Sequence, residues 1–331
     1  MKIVLKIIFR VRLLISVLAF GIFKQSDGQE HGMLPTEFRI IGYLRITDIE
    51  NDNASSIDLS KVNYLNIAFI NPFENGNFPV LTSLNSVVAS AHNKRVKVLS
   101  SLGKGLAPTY YSLLLSDDNR NSLIKNIVQF VSVNQYDGVD VNLESEHIDA
   151  HFEIFISELS FALKPQNKLL RAAVATAYQS RYPDKALSLF NFINIMSYDK
   201  TDPWKPESSG QHSPYDLAVE DLDYWTHTIG IPKEKLNLGM AFYGYGFGQD
   251  STEYISYKNT TNLYPLSADQ DELTVAEGGV IYYNGTTTIE NKTTLALKKA
   301  DRIMVWQLLQ DPNWDNSLLN TINKGINNYR R

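Results

Sequence analysis

Eight short apolar runs separated by stretches of helical periodicity constrain the fold of this chain more than any other feature. The runs are Phe38–Leu44, Val62–Ile70, Arg95–Ser101, Gly138–Glu144, Leu170–Ala177, Phe192–Tyr198, Leu236–Tyr243 and Arg302–Leu308. Helical patterns lie at Leu81–Asn93, Asp118–Asn134, Ile148–Leu163, Leu217–Ile229, Lys292–Ala300 and Ser317–Asn328. Ser116, Asp117 and Asp118 offer capping oxygens at the start of the second helix. Ala172–Thr176 and Lys94–Leu99 are apolar on both faces or nearly so, as strands of a parallel sheet covered on both sides are. Eight strand–helix units predict an α/β fold, a (β/α)8 TIM barrel, which typically takes about 250 residues. The surplus falls between the seventh and eighth runs. Residues 247–301 are expected to form a short insertion on the barrel rim and not an independent domain.

The N-terminus has a different character. Lys2, Lys6, Arg10 and Arg12 precede an apolar run from Leu13 to Phe23. That run is too short to span a bilayer, which takes about 20 residues. A basic start followed by a short apolar core is the pattern of a signal peptide. Residues 1–28 are therefore expected to be removed, with cleavage near Ser26–Gln29, leaving 29–331 as the barrel. A buried N-terminal helix and an uncleaved membrane anchor are the alternatives. Removing residues 1–28 takes away five cations and one anion, so the formal charge moves from −5 to −9. Such acidity excludes a phosphate-backbone binder, which needs a basic face. The chain has no Cys, which excludes disulfides, thiolate catalysis, Cys-ligated zinc and a lipid anchor on a cysteine after the leader. An exported chain without cysteine points to a bacterial periplasm or secretion route. No stable membrane insertion is expected after cleavage. The six His are not expected to hold a metal, and no cofactor is expected.

The most informative stretch is Tyr136-Asp137-Gly138-Val139-Asp140-Val141-Asn142-Leu143-Glu144. Alternate residues of a strand share a face. Asp140, Asn142 and Glu144 therefore point one way, into the barrel, and Val139, Val141 and Leu143 point toward the covering helices. Buried carboxylates need partners. Glu144 is the last of the three, at the C-terminal end of the strand, where barrel enzymes place their chemistry. Neighbouring carboxylates raise one another's pKa, which yields a group still protonated near neutral pH and able to act as a general acid. A structural hydrogen-bond network is the alternative reading of this strand.

Asp137–Glu144 resembles the DGxDxDxE signature of family 18 glycoside hydrolases, the chitinase family. The resemblance recurs in order along Ile40–Asp311. Ile41-Gly42-Tyr43 resembles the first-strand GYY, and Ala68-Phe69 the AF of the second strand. Lys97–Gly103, with Ser101, resembles the SxGG strand. Met196-Ser197-Tyr198-Asp199 resembles MxYD. Leu238–Gly244 resembles the seventh strand, and Met304-Val305-Trp306 the eighth. The resemblance implies cleavage of β-1,4 bonds next to N-acetylglucosamine with retention, the acetamido oxygen of the substrate serving as nucleophile. It implies Glu144 as acid/base, Asp140 as the carboxyl that tunes it, and Tyr198 as the phenol on the acetamido oxygen. It also implies substrate-binding positions at Tyr43, Phe69, Ser101, Met196, Asp199, Tyr243 and Trp306, with Trp306 as the apolar floor under the sugar. The implied partner is an N-acetylglucosamine polysaccharide or glycan, met by a monomer, with no nucleic acid.

The sequence departs from the pattern at two positions. Asn142 stands where the family usually has Asp. An amide can orient the acetamido group but cannot supply charge beside the forming oxazolinium ion. A unit charge about 4 Å away is worth up to roughly 4 kcal/mol at an effective dielectric near 20. Losing part of it predicts turnover slowed about 10²–10³-fold. The Asn142 amide could also donate to Glu144 and weaken it as an acid. Lys104 replaces the second glycine of SxGG. The short insertion predicts a shallow groove suited to endo action. Trp204, Tyr110 and Tyr111 are candidate outer platforms. Two other readings remain: an endo-β-N-acetylglucosaminidase acting on the N-glycan core, and an inactive chitooligosaccharide-binding protein.

Overall fold

A computed structural model describes residues 38–51, 57–104, 107–203, 207, 209–249, 253–276 and 278–329. The expected leader and Trp204 lie outside these residues. Each of the eight apolar runs overlaps a barrel strand. They are β1 (Arg39–Arg45), β2 (Tyr64–Ala68), β3 (Lys97–Gly103), β4 (Gly138–Asn142), β5 (Leu169–Val174), β6 (Phe192–Ile195), β7 (Leu236–Ala241) and, at the far end of the chain, β12 (Arg302–Trp306). All pair in parallel, and β1 closes on β12 with Gly42 opposite Val305, so the sheet is a closed eight-stranded barrel. This is a (β/α)8 TIM barrel.

The apolar runs make strands because both of their faces are covered. Outward residues Val139, Val141 and Leu143 of the β4 segment join one apolar cluster with Phe152, Phe155, Ile156 and Leu159 of α5 (Phe152–Leu163). Those helical residues recur at three- and four-residue spacing and form one stripe toward the sheet. Each fully buried side chain of that size stabilises by about 1.5–3 kcal/mol. Inward residues of the same strands are polar near the C-terminal ends, and this polarity sets up the site.

The structure shifts several boundaries. The run expected through Glu144 ends as β4 at Asn142, and Glu144 follows in extended conformation before a 3-10 turn at Ser145–His147. Its side chain thus keeps the alternation of the strand without a ladder partner. The seventh run divides after Ala241. A second strand, β8 (Tyr243–Phe247), starts a four-stranded antiparallel sheet in the order β10-β11-β8-β9, with β9 (Tyr254–Ser256), β10 (Glu272–Thr274) and β11 (Val280–Tyr282). The inserted strands therefore begin at Tyr243, before residue 247. The helix expected at Lys292–Ala300 is longer, α9 (Thr286–Lys299), and it leads directly into β12. The second helix, α4, runs Arg120–Val133. Asn119 at its N-terminus makes no side-chain cap, and Asp117 instead pairs with Arg120 at 2.8 Å.

Candidate active site

Asp140, on β4, is fully buried at the centre of a hydrogen-bond set contributed by four other strands. Tyr43 Oη donates to Asp140 Oδ2 at 2.6 Å, and Ser101 Oγ donates to the same oxygen at 2.7 Å. Asn194 Nδ2 reaches Asp140 Oδ1 at 3.1 Å and Tyr43 Oη at 3.0 Å. Asn237 Nδ2 donates to Asn194 Oδ1 at 2.7 Å, which fixes the orientation of the Asn194 amide. Asp140 is therefore an acceptor in every contact. Burial pushes its carboxyl up from the ordinary range, and the donors of Tyr43 and Ser101 pull against that.

Glu144 has different surroundings. Its carboxyl has no hydrogen-bond donor among the described residues, and its pKa is raised to about 7, first by burial and then by the Asp199 charge. Asp140 is not among those causes, so the second carboxylate that acts on Glu144 belongs to β6's C-terminal loop and not to its own strand. Asn142 does not hydrogen-bond to Glu144 or Asp140 either. Its Oδ1 is buried without a partner among the described residues, although the residue lines the cleft. Asp199 takes a left-handed backbone (φ +62°) and accepts from Tyr243 Oη and, at 3.1 Å, from Tyr245 Oη. Tyr198 Oη points at Met304 Sδ, 3.8 Å away. Burial holds the Tyr198 phenol well above its usual value, so it remains a donor.

A cleft of about 930 Å³ opens over these groups. Of the residues expected at the site, Phe69, Asn142, Glu144, Met196, Tyr198, Asp199 and Trp306 line it. Phe69 stacks on Trp306 with ring centroids 5.5 Å apart and 27° between the planes, forming a flat apolar wall. Tyr43, Ser101 and Tyr243 are not among the residues that line this cleft. They are 1%, 0% and 2% exposed and sit behind the cleft, because their hydroxyls are committed to Asp140 and Asp199. The sequence reading did not include Tyr178, Asp202, Glu220 and Tyr224, which form a wall with Tyr245. Glu220, in α7 (Tyr215–Asp223), and Tyr224, which opens the π-helical turn that continues it (Tyr224–Thr228), stand four apart on one helix face, and that spacing was the available signal. Tyr110 and Tyr111 do not line this cleft. Their hydroxyls donate to Pro72 O and Asn71 Oδ1, both at 2.7 Å, and pack the loops.

Two other sequence features have structural explanations. His147 and His151 stand four apart, a spacing that on one helix would suit a metal. His147 instead ends the 3-10 turn, buried, with Nε2 3.3 Å from Ala107 O, and His151 precedes α5. Among the described residues, no group of three potential ligands stands close enough to hold a metal ion. Lys104 is exposed with φ +149°, a glycine-favouring backbone, and its N–H donates to Asn142 O at 2.8 Å.

The arrangement offers one carboxyl that can give a proton near neutrality, one phenol that can donate to a developing oxyanion, an unpaired amide oxygen and an aromatic wall. Residues 39–311 match the family model described as Glycosyl hydrolases family 18. A GH18 chitinase from the chitin utilization locus of Flavobacterium johnsoniae is 35% identical, with a TM-score of 0.81 over 88% of this chain and 94% of that one. A chitinase from Bacteroides thetaiotaomicron is 29% identical, with a TM-score of 0.77 over 87% of this chain and 96% of that one. Chitinase-3-like protein 2 of Homo sapiens is 28% identical over 221 residues, 58% of this chain. The chain spans 55%, 60% and 63% of the lengths of the first curated relatives it matches.

Proposed function

The chain belongs to glycosyl hydrolases family 18, and from that membership we propose that it cleaves β-1,4 bonds in chitin-like polymers or oligomers of N-acetylglucosamine with retention. The observation that carries this is Glu144, whose carboxyl is held near neutrality at the cleft while the other strand carboxyl, Asp140, is buried away from substrate. As the family resemblance implies, the nucleophile is then the substrate's own acetamido oxygen, and the protein needs one acid. Glu144 protonates the glycosidic oxygen as the acetamido oxygen attacks C1 from the opposite face. Tyr198 donates to that acetamido oxygen, and Asn142 Oδ1 accepts from the acetamido N–H. The sugar lies against Trp306 and Phe69. Glu144, now a carboxylate, then takes a proton from the water that opens the oxazolinium ion, and the product retains its anomeric configuration.

Asn142 makes this a slow enzyme in the proposal, because no charge stands at its position. The same feature favours a second reading, a chitooligosaccharide-binding protein without turnover. Export by the leader at 1–28 is part of the first reading. A substrate panel tests it: soluble chitooligosaccharides, colloidal chitin and a high-mannose glycoprotein, with the first-formed anomer read by NMR. Chitooligosaccharide cleavage giving the β-anomer first is expected. Release of glycan without action on chitooligosaccharides would transfer the activity to the N-glycan core. An α-anomer product would contradict substrate assistance.

A further inference from the structure

Arg171, on β5, is fully buried inside the barrel behind the cleft, and the catalytic scheme does not use it. Its register partner on β4 is Asp140. Its guanidinium carbon lies 3.7 Å from the centre of the Tyr64 ring and 5.0 Å from that of Phe192. None of its three nitrogens has a hydrogen-bond partner among the described residues. The charged and titratable groups that face it are Tyr64 on β2, Tyr43 on β1, Arg302 on β12 and Asp140 itself. Arg302 lies over the Phe192 ring at 3.8 Å, and Arg39 donates to Tyr64 Oη at 2.9 Å. Asp140 is the one carboxyl in this set.

A buried guanidinium without hydrogen bonds is destabilising unless a counter-charge and aromatic faces offset it. Asp140 is the matching half. It accepts from Tyr43, Ser101 and Asn194 and donates to nothing, which is the pattern of an ionised carboxylate. We propose that Arg171 is a positioning residue that holds Asp140 as an anion, so that a fixed negative charge stands behind the reacting sugar in place of the one Asn142 cannot carry. The consequence for turnover rests on the hydrolase reading; the charge state of Asp140 does not. Burial alone opposes the anion, and Arg171 and the three donors work together against burial. Asp140 is the anion that matches Arg171 in this set, because burial keeps the Tyr43 phenol protonated and Arg302 is itself a cation.

Arg171→Met keeps length and apolar contact with Tyr64 and Phe192 but removes the charge, whereas Arg171→Lys keeps it. Infrared difference spectra of each form against its Asp140→Asn partner read the Asp140 carboxyl directly. The expected result is a carboxylate band at pH 7 in the wild type and in Arg171→Lys, and a protonated-carboxyl band in Arg171→Met. On a fluorogenic chitobioside, kcat of Arg171→Met should fall about tenfold or more, with KM changing less than about threefold. The acidic limb of its pH profile should move up by about one unit or more. Arg171→Gln replaces Arg171→Met if the latter does not fold. A protonated Asp140 in the wild type overturns the proposal, as does an unchanged carboxylate band in the folded charge-free variant. A wild type with ionised Asp140 but no turnover refutes the hydrolase reading and leaves this one standing.

Discussion

Asn142 determines how far the residues of this site depart from a two-charge strand. Its neighbours on the same face are accounted for: Asp140 accepts from three donors, and Glu144 meets none among the described residues. Asn142 Oδ1 is buried with no partner among the described residues, so it can orient an N–H but adds no charge. Asn142→Asp is expected to raise kcat on chitooligosaccharides by about tenfold or more, up to the roughly 10²–10³-fold estimated for the missing charge. Steady-state kinetics at pH 6 check this. A fall in kcat would mean that the site is built around an amide. That Asn142 shares a face with Asp140 and Glu144 was legible in the sequence from the period-two alternation, and that it departs from an Asp was legible only from the resemblance to the family signature. That Asp199, and not Asp140, raises Glu144 was not legible, because it depends on where the loop after β6 turns back over the barrel.

At the scale of elements, the end of β3 is the tightest point of the site. Gly103 has φ +93°, and a Cβ there would meet the Asn142 carbonyl oxygen at 2.1 Å. The next residue, Lys104, holds a glycine-favouring backbone with a side chain that gains nothing visible from it. Lys104→Gly is expected to stabilise the fold by about 1 kcal/mol, and Gly103→Ala to destabilise it by about 2–4 kcal/mol, both measured by urea unfolding. A destabilised Lys104→Gly would show that the lysine side chain does bind something in place. The barrel strands were legible because each is a run covered on both faces. The short helices α1 (Ile46–Asn51), α3 (Tyr111–Leu115) and α6 (Asp184–Leu189) were not, since one or two turns carry too little periodicity. The three-residue strands β9, β10 and β11 were hidden for the same reason. Their register comes from antiparallel pairing with β8 and with one another, and no local pattern encodes it.

Taken as a whole molecule, the described chain is a barrel whose outward faces are apolar and whose inward faces turn polar toward one end, where the site lies. Order along the sequence was enough to assign seven of the residues that line the cleft, because each motif ends a strand and a closed barrel brings all strand ends together. The surroundings of the buried Arg171 came only from three-dimensional neighbours, and the wall beyond α7 left one local trace, the four-residue spacing of Glu220 and Tyr224. The central claim is that a single carboxyl, Glu144, does the proton work. As a general acid it must be protonated, so activity should fall as pH rises through about 7, the value to which burial and Asp199 raise it. The most direct test is the pH–rate profile for hydrolysis of a fluorogenic chitotrioside by the wild type and by Glu144→Gln. The account predicts wild-type turnover with an alkaline limb near pH 7, and a variant that binds chitotriose yet hydrolyses the substrate at least about 10²-fold more slowly. Equal rates in the two proteins would contradict it.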